Sequence, residues 1–195
     1  MNTRGALILH GGQEVCAFNL LVSFHQNVRA SAEEEVRQRL KDVGAVVERV
    51  EQWAHEGVLL VEASRDSKRM VMELRIMCRE RPELFQHTHH WVPIERWVPS
   101  TDEAMKAAVK EVAQGIAAKD KWMLHLHKRH YTKHHDDLVK LLTDPIETGI
   151  VDLRMPEKIV AVEILGDQVG MALLSRDELL DVNRVREEGG LLLTV

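Results

Sequence analysis

The chain has 195 residues, 45% of them apolar, and carries 26 basic against 31 acidic side chains for a formal net charge of −5. That length and apolar content suit one ordinary domain or two small ones with a real core, and exclude disorder as the default. The acidic balance excludes a protein that coats nucleic acid with its whole surface, so any anion site is local.

From Ala17 to Phe24 the chain reads as a strand, and Ser31 with Glu34 forms an SxxE capping box for a helix whose apolar face is Val36, Leu40 and Val43. Gly44 ends that helix. Val46 to Trp53 alternates apolar and polar residues, His55, Glu56 and Gly57 make a turn, and Val58 to Val61 returns, which is a hairpin pattern. A second helix carries Met70, Val71, Leu74, Met77 and Cys78 at helical spacing up to Pro82, and Trp91 to Val98 reads as one further strand. Strand, helix, strand, strand, helix, strand is the ferredoxin-like order, an antiparallel sheet covered on one face by two helices.

Pro99 and Ser100 mark a boundary, and Ser100 with Glu103 repeats the SxxE cap ahead of a helix bearing Met105, Ala108, Val109, Val112 and Ile116. Trp122 to Leu126 is a short strand that runs into a basic, histidine-rich stretch. Asp136 and Asp137 suit the first turn of the next helix, which contains Leu138, Val139, Leu141 and Leu142 and closes at Pro145. IVAVEIL (Ile159 to Leu165) and VGMALL (Val169 to Leu174) form a hairpin around Gly166, Asp167 and Gln168. The helix-like segment Arg176 to Arg186 precedes a tail, GGLLLTV, expected to pack on the core. The domains expected are 15–99, 100–183 and a tail at 184–195, in an α+β fold.

Cys16 and Cys78 fit no paired zinc or redox spacing and read as structural thiols in a reducing compartment. The longest early apolar run, Ala6 to Leu9, is too short for a signal segment or a membrane span, so the expected protein is soluble, cytoplasmic and without a membrane partner.

The chemistry concentrates in KWMLHLHKRHYTKHHDDL, Lys121 to Leu138. Histidine is the commonest transition-metal ligand, and His125 and His127 at i and i+2 share one face of a strand. His130 and His134 are candidates for a third ligand, which makes a histidine-liganded metal protein or hydrolase built on the run from His125 to His135 the alternative reading. Against it, Lys128, Arg129 and Lys133 interleave with the histidines and would repel an ion. There is no GxSxG elbow, no GxxxxGKS loop and no GxGxxG, so enzymatic and nucleotide-binding signals are missing and no cofactor is expected. Gly11, Gly12 and Gln13 match the catalytic tripeptide of peptide-release factors but read as a loop.

Residues 121–140 hold five basic residues against two aspartates, a local +3, whereas 141–195 hold five basic and eleven acidic residues, a local −6. Lys121, Lys128, Arg129 and Lys133 offer charges for phosphates, and His127, His130 and Tyr131 offer rings for stacking on unpaired bases, a composition suited to RNA. Imidazoles there would gain charge as pH falls through about 6.5. A second basic stripe, Lys68, Arg75 and Arg79, falls on one helical face and reads as solvated surface.

These residues carry a family resemblance. WMLHLHKRH, DDLVKLLTDPIETGIVDL and above all EKIVAVEILGDQVGMALLSRDELLDV, Glu157 to Val182, resemble the strand and basic turn, the helix, and the closing hairpin of a THUMP domain. The N-terminal half is similar to the ferredoxin-like domain that precedes THUMP, and the likeness covers about Ala17 to Val182. It implies an RNA-binding module of tRNA-modification proteins. Among these the chain most resembles the adaptor that presents tRNA to the RNA cytidine acetyltransferase making N4-acetylcytidine, which implies binding near the acceptor end and no catalysis of its own. The family's basic turn maps onto Lys128, Arg129 and His130, with Lys133 as an extension; histidines stand here where family members usually carry more arginine or lysine.

Overall fold

A computed structural model describes residues 17–25, 27–54 and 57–189. The Ala6 to Leu9 run, the tripeptide at 11–13, Cys16, residues 55 and 56 of the first hairpin turn and the tail at 191–195 lie outside the described residues. In chain order the elements are β1 (Leu20–Phe24), α1 (Arg29–Asp42), β2 (Val47–Gln52), β3 (Val58–Ala63), α2 (Ser67–Glu80), β4 (Thr88–Pro93), β5 (Arg96–Pro99), α3 (Asp102–Val112), β6 (Lys121–Arg129), α4 (His135–Thr143), β7 (Ile150–Val151), β8 (Lys158–Leu165), β9 (Gln168–Ser175), β10 (Leu180–Asp181) and α5 (Val182–Glu188). They fall into two compact units, one of residues 18–93 with 177 onward, the other containing residues 94–176. Among the described residues no helix is long and apolar enough to cross a membrane.

The first unit has the sheet order β10-β4-β1-β3-β2, every pairing antiparallel, which is the ferredoxin-like order with one strand added at the β4 edge. Leu20, Val22 and Phe24 of β1 point with Leu59 and Val61 into a core closed by Val36 and Leu40 of α1 and by Met70, Val71, Leu74 and Cys78 of α2. Cys78 is the free thiol expected from the sequence; burial pushes its pKa up to about 11, so it stays protonated and packs as a small apolar group.

Two sequence expectations fail locally. α1 does not start at a Ser31 capping box: Asn27 takes φ +73°, and the helix begins at Arg29 with Val28 at its cap and no side-chain cap bond. Val28 packs against the core, and that contact turns the chain three residues early. The expected single strand from Trp91 to Val98 is two strands in two sheets. Pro93 has no N–H to extend the ladder, its Cα pairs with Leu20, and Glu95 N then donates to Met171 O of β9.

The C-terminal segment returns to the first unit. Leu180 and Asp181 pair with Trp91 and His90 of β4, and Val182 and Val185 enter that core. Arg75, expected on a solvated stripe, is 5% exposed and holds this segment through Glu188 at 3.1 Å and Asp177 at 3.4 Å. The units therefore meet in sequence at 93/94 and 176/177, where the sequence pattern alone places boundaries at 99/100 and 183/184.

The second unit has the order β5-β9-β8-β6-β7, with β6 parallel to both β7 and β8 and the other pairs antiparallel. α3 and α4 cover one face, packing Met105, Ala108, Val109, Leu138 and Leu142 on Val160, Val162, Ile164 and Met171. Thr101 caps α3 by accepting from Ala104 N at 3.3 Å, one residue after the expected Ser100, because the Ser100 hydroxyl donates to Gly166 O at 2.9 Å instead. Gly166 takes φ +61° in the tight β8–β9 turn, where a side chain would be strained.

Candidate nucleic-acid interface

The site is built on β6. Its side chains alternate across the sheet, so Leu124, Leu126 and Lys128 share the helix-covered side, whereas His125, His127 and Arg129 share the other. Across the ladder, Ala161, Glu163 and Leu165 stand beside these three. Lys128 and Arg129, adjacent in sequence and expected to grip phosphates together, thus lie on opposite faces.

Each expected RNA-binding residue has a definite place. Lys128 Nζ donates to Lys133 O at 2.5 Å, which fixes the start and end of the loop that follows β6. His130 is exposed, with φ +51°, at the turn where the strand ends. Tyr131 Oη donates to Ser100 O at 2.9 Å and its ring packs against the core, so this tyrosine pins the loop to the start of α3. Lys133 Nζ forms an ion pair with Asp102 in the first turn of α3, and that hydrogen bond raises the lysine pKa. Lys121 lies at the opposite end of the nine-residue strand, about 26 Å from Arg129 at the usual rise per residue. There it meets Asp152 Oδ2 at 3.0 Å. The backbone N–H of Met155, then Lys121, then the N–H of Arg154 hold Asp152 at a pKa of about 2. Lys121 therefore secures the β6–β7 edge and does not join the loop.

The end of the sheet where β6 stops also carries the start of α3, the β8–β9 turn and the start of α4: Gly166 N donates to Arg129 O, and Ser100 N to Asp167 O, both at 2.9 Å. His134 caps α4, its Nδ1 accepting from Asp136 N at 3.4 Å, and His134 and His135 are exposed. This end presents Lys128, His130, Lys133, His134 and His135 around two helix N-termini, with Asp102, Asp136 and Asp137 in the first turns of those helices.

His127 belongs to a different cluster, on the strand face. Glu163, fully buried in the middle of β8, places Oε2 2.9 Å from Arg129 Nη1. Its Oε1 faces His127 Nδ1 at 3.4 Å and His125 Nε2 at 3.9 Å and accepts no well-formed hydrogen bond. Burial pushes the Glu163 pKa up, but His127, Arg129 and His125 outweigh it and hold the group below the ordinary carboxylate range. Gly170 is the β9 partner of Glu163, and the side chains of Ile94 and Trp97 occupy the space a Cβ there would need. The four residues His127, Glu163, Gly170 and Trp97 thus form one row across the sheet.

Glu163 is the residue that sequence reasoning missed. Its signal was present: one carboxylate among six apolar residues in IVAVEIL must be buried with its strand, and a buried charge requires partners. Of the histidines proposed as metal ligands, His125 and His127 come together, whereas His130 and His134 stay in the loop; the third group at this point is Glu163.

Fold and site define an α+β protein of two units, the first ferredoxin-like and the second a five-stranded mixed sheet covered on one face by two helices. PH1313 from Pyrococcus horikoshii Ot3 matches it with a TM-score of 0.60 at 12% identity, over 84% of this chain and 55% of that one. TrmN from Thermus thermophilus matches at 0.50 and 15% identity, over 79% of this chain and 44% of its own. A possible methylase from Clostridium difficile 630 matches at 0.51 and 9% identity, over 80% and 40%. At these identities the likeness is one of fold, and the chain spans about half the length of the solved structures it matches. No protein-family model and no curated protein matches the sequence.

Proposed function

We propose that the protein binds tRNA and presents it to a separate tRNA-modifying enzyme. The observation that carries this reading is the two-unit α+β architecture, a ferredoxin-like unit followed by one that resembles a THUMP domain in sequence, with a fold shared with PH1313 over 84% of the chain. The sequence resemblance through residues 121–182 implies an RNA-binding role for that module. The contacts fall at the β6 end, where Lys128, His130, Lys133, His134 and His135 offer donors to phosphates. Lys128 is already held in place by Lys133 O, so ordering it against a phosphate costs less entropy than ordering a free lysine. Following the resemblance, the RNA is gripped near the acceptor end, the enzyme served is an RNA cytidine acetyltransferase, the chain itself is noncatalytic, and the complex works in the cytoplasm.

The test uses tRNA with an intact or a trimmed acceptor end against wild type and the Lys128→Ala/His130→Ala variant. Arg129 is left alone because its loss would strand the Glu163 charge. Wild-type affinity is expected to fall steeply as salt rises, to drop on trimming, and to drop several-fold in the variant with a shallower salt slope. Equal affinities across all four combinations would reject the assignment of this loop.

A further inference from the structure

The face of β6 turned away from the helices carries a group of side chains that RNA binding at the strand end does not use. We infer that His125 Nε2, His127 Nδ1 and Glu163 Oε1 form a binding site for one divalent transition-metal ion of the zinc class.

Donor atoms about 2.0–2.1 Å from a four-coordinate zinc ion stand about 3.3 Å from one another. Oε1 lies 3.4 Å from His127 Nδ1 and 3.9 Å from His125 Nε2, and all three donor atoms lie within 4.8 Å of one another. Closing the three onto an ion takes a shift of about 0.1 Å between Oε1 and His127 Nδ1, about 0.6 Å between Oε1 and His125 Nε2 and at most about 1.5 Å between the two ring nitrogens, movements within the reach of side-chain torsions. Two imidazoles and one carboxylate are a ligand set that leaves a position open for water or a substrate oxygen. His127, with 37% of its side chain exposed, marks the side from which an ion enters.

Glu163 is 0% exposed, and its Oε1 faces the two rings, with His127 Nδ1 at 3.4 Å the nearer contact and His125 Nε2 at 3.9 Å the longer. Arg129 takes the other oxygen and fixes the carboxylate plane, as outer-sphere partners of metal ligands do. Of the three interleaved cations that argue against an ion in the sequence, the fold removes two, Lys128 to the other face and Lys133 to its pair with Asp102, while the Arg129 charge is offset by the Glu163 oxygen that it holds. The site is independent of the tRNA reading and stands or falls separately.

The test takes the full chain without a histidine tag, stripped with a chelator and titrated with Zn²⁺ by calorimetry and with Co²⁺ by absorption. One equivalent of each ion is expected, with the visible ligand-field bands of a low-coordinate Co²⁺ site. His127→Gln, at the exposed edge of the site, should weaken binding by roughly 100-fold or more. Glu163→Gln should do the same, whereas His130→Ala/His134→Ala/His135→Ala should retain the tight equivalent. On the unaltered chain, Zn²⁺ should protect His125 and His127 from acylation and leave the loop histidines reactive. Absence of a stoichiometric ion, or an ion lost with the loop histidines and kept by His127→Gln, overturns the site; protection of the loop histidines alone does so even if the variants fail to fold.

Discussion

Each unit buries a glutamate, and the two are treated in opposite ways. Glu35 in α1 accepts four hydrogen bonds: from Gln86 N at 2.8 Å, His87 N at 2.9 Å, Thr88 N at 3.1 Å and Thr88 Oγ1 at 2.6 Å. Thr88 Oγ1 in turn accepts from Trp91 Nε1 at 3.0 Å, so the carboxylate, the strand entry and the largest core side chain form one saturated network. Glu163 has Arg129 on one oxygen and two imidazoles standing off the other. Both positions satisfy the requirement that a buried charge be compensated. The difference teaches what each is for: a carboxylate whose acceptor sites are filled by backbone N–H groups holds a fold together, and one faced by polarisable, titratable rings is available for a ligand.

The comparison breaks most visibly at Glu35. Glu35→Ala strands three backbone N–H groups and a hydroxyl at once, and should cost about 4 kcal/mol of stability in urea unfolding; a loss well under 1 kcal/mol would mean that the network is not structural. Next in size, Arg129→Ala leaves the Glu163 charge buried without its guanidinium and should cost about 3 kcal/mol. Adding Glu163→Gln to it should recover a good part of that loss, because the stranded charge is gone. No recovery in the double variant would show that Arg129 acts through packing alone.

The smallest effect is a pH window. Burial pushes the Asp181 carboxyl up, but the hydrogen bond from His90 and those from the Arg184 and Asn183 backbone outweigh it and hold the pKa at about 2 against the ordinary 3.8. A depressed carboxylate stabilises the fold above its unfolded pKa and loses that contribution as pH falls through its folded one. The Asp181 share is therefore fully present at pH 5 and disappears between about 3.8 and about 2. Asp181→Asn should lower stability at pH 5 and flatten the acid limb in that window; a limb of unchanged slope would rule out this clasp on the C-terminal segment.

Much of the fold was legible because long elements carry their own periodicity. The stripe Met70, Val71, Leu74, Cys78 and the alternation of Val46 to Trp53 predict α2 and β2 without knowledge of what they pack against. The return of β10 and α5 to the first unit was not legible. A two-residue strand and a seven-residue helix are too short to show a period, and their partners, Trp91, His90 and Arg75, are about a hundred residues away in the chain. Pro93 could have announced the break between β4 and β5, since it cannot donate to a ladder. In the candidate site the residue types were legible and their grouping was not. A period of two already separates Lys128 from Arg129, and Glu163 joins His125 and His127 only through the parallel register of β6 and β8, which no local pattern encodes.

The proposal that the Arg129 end of β6 receives tRNA is tested most directly by photocrosslinking the full chain to tRNA and mapping the attached residues. A low-salt complex is expected whose crosslinks concentrate at residues 128–135 and fade as salt rises. Absence of a complex at low salt, or crosslinks that avoid this segment, would contradict it.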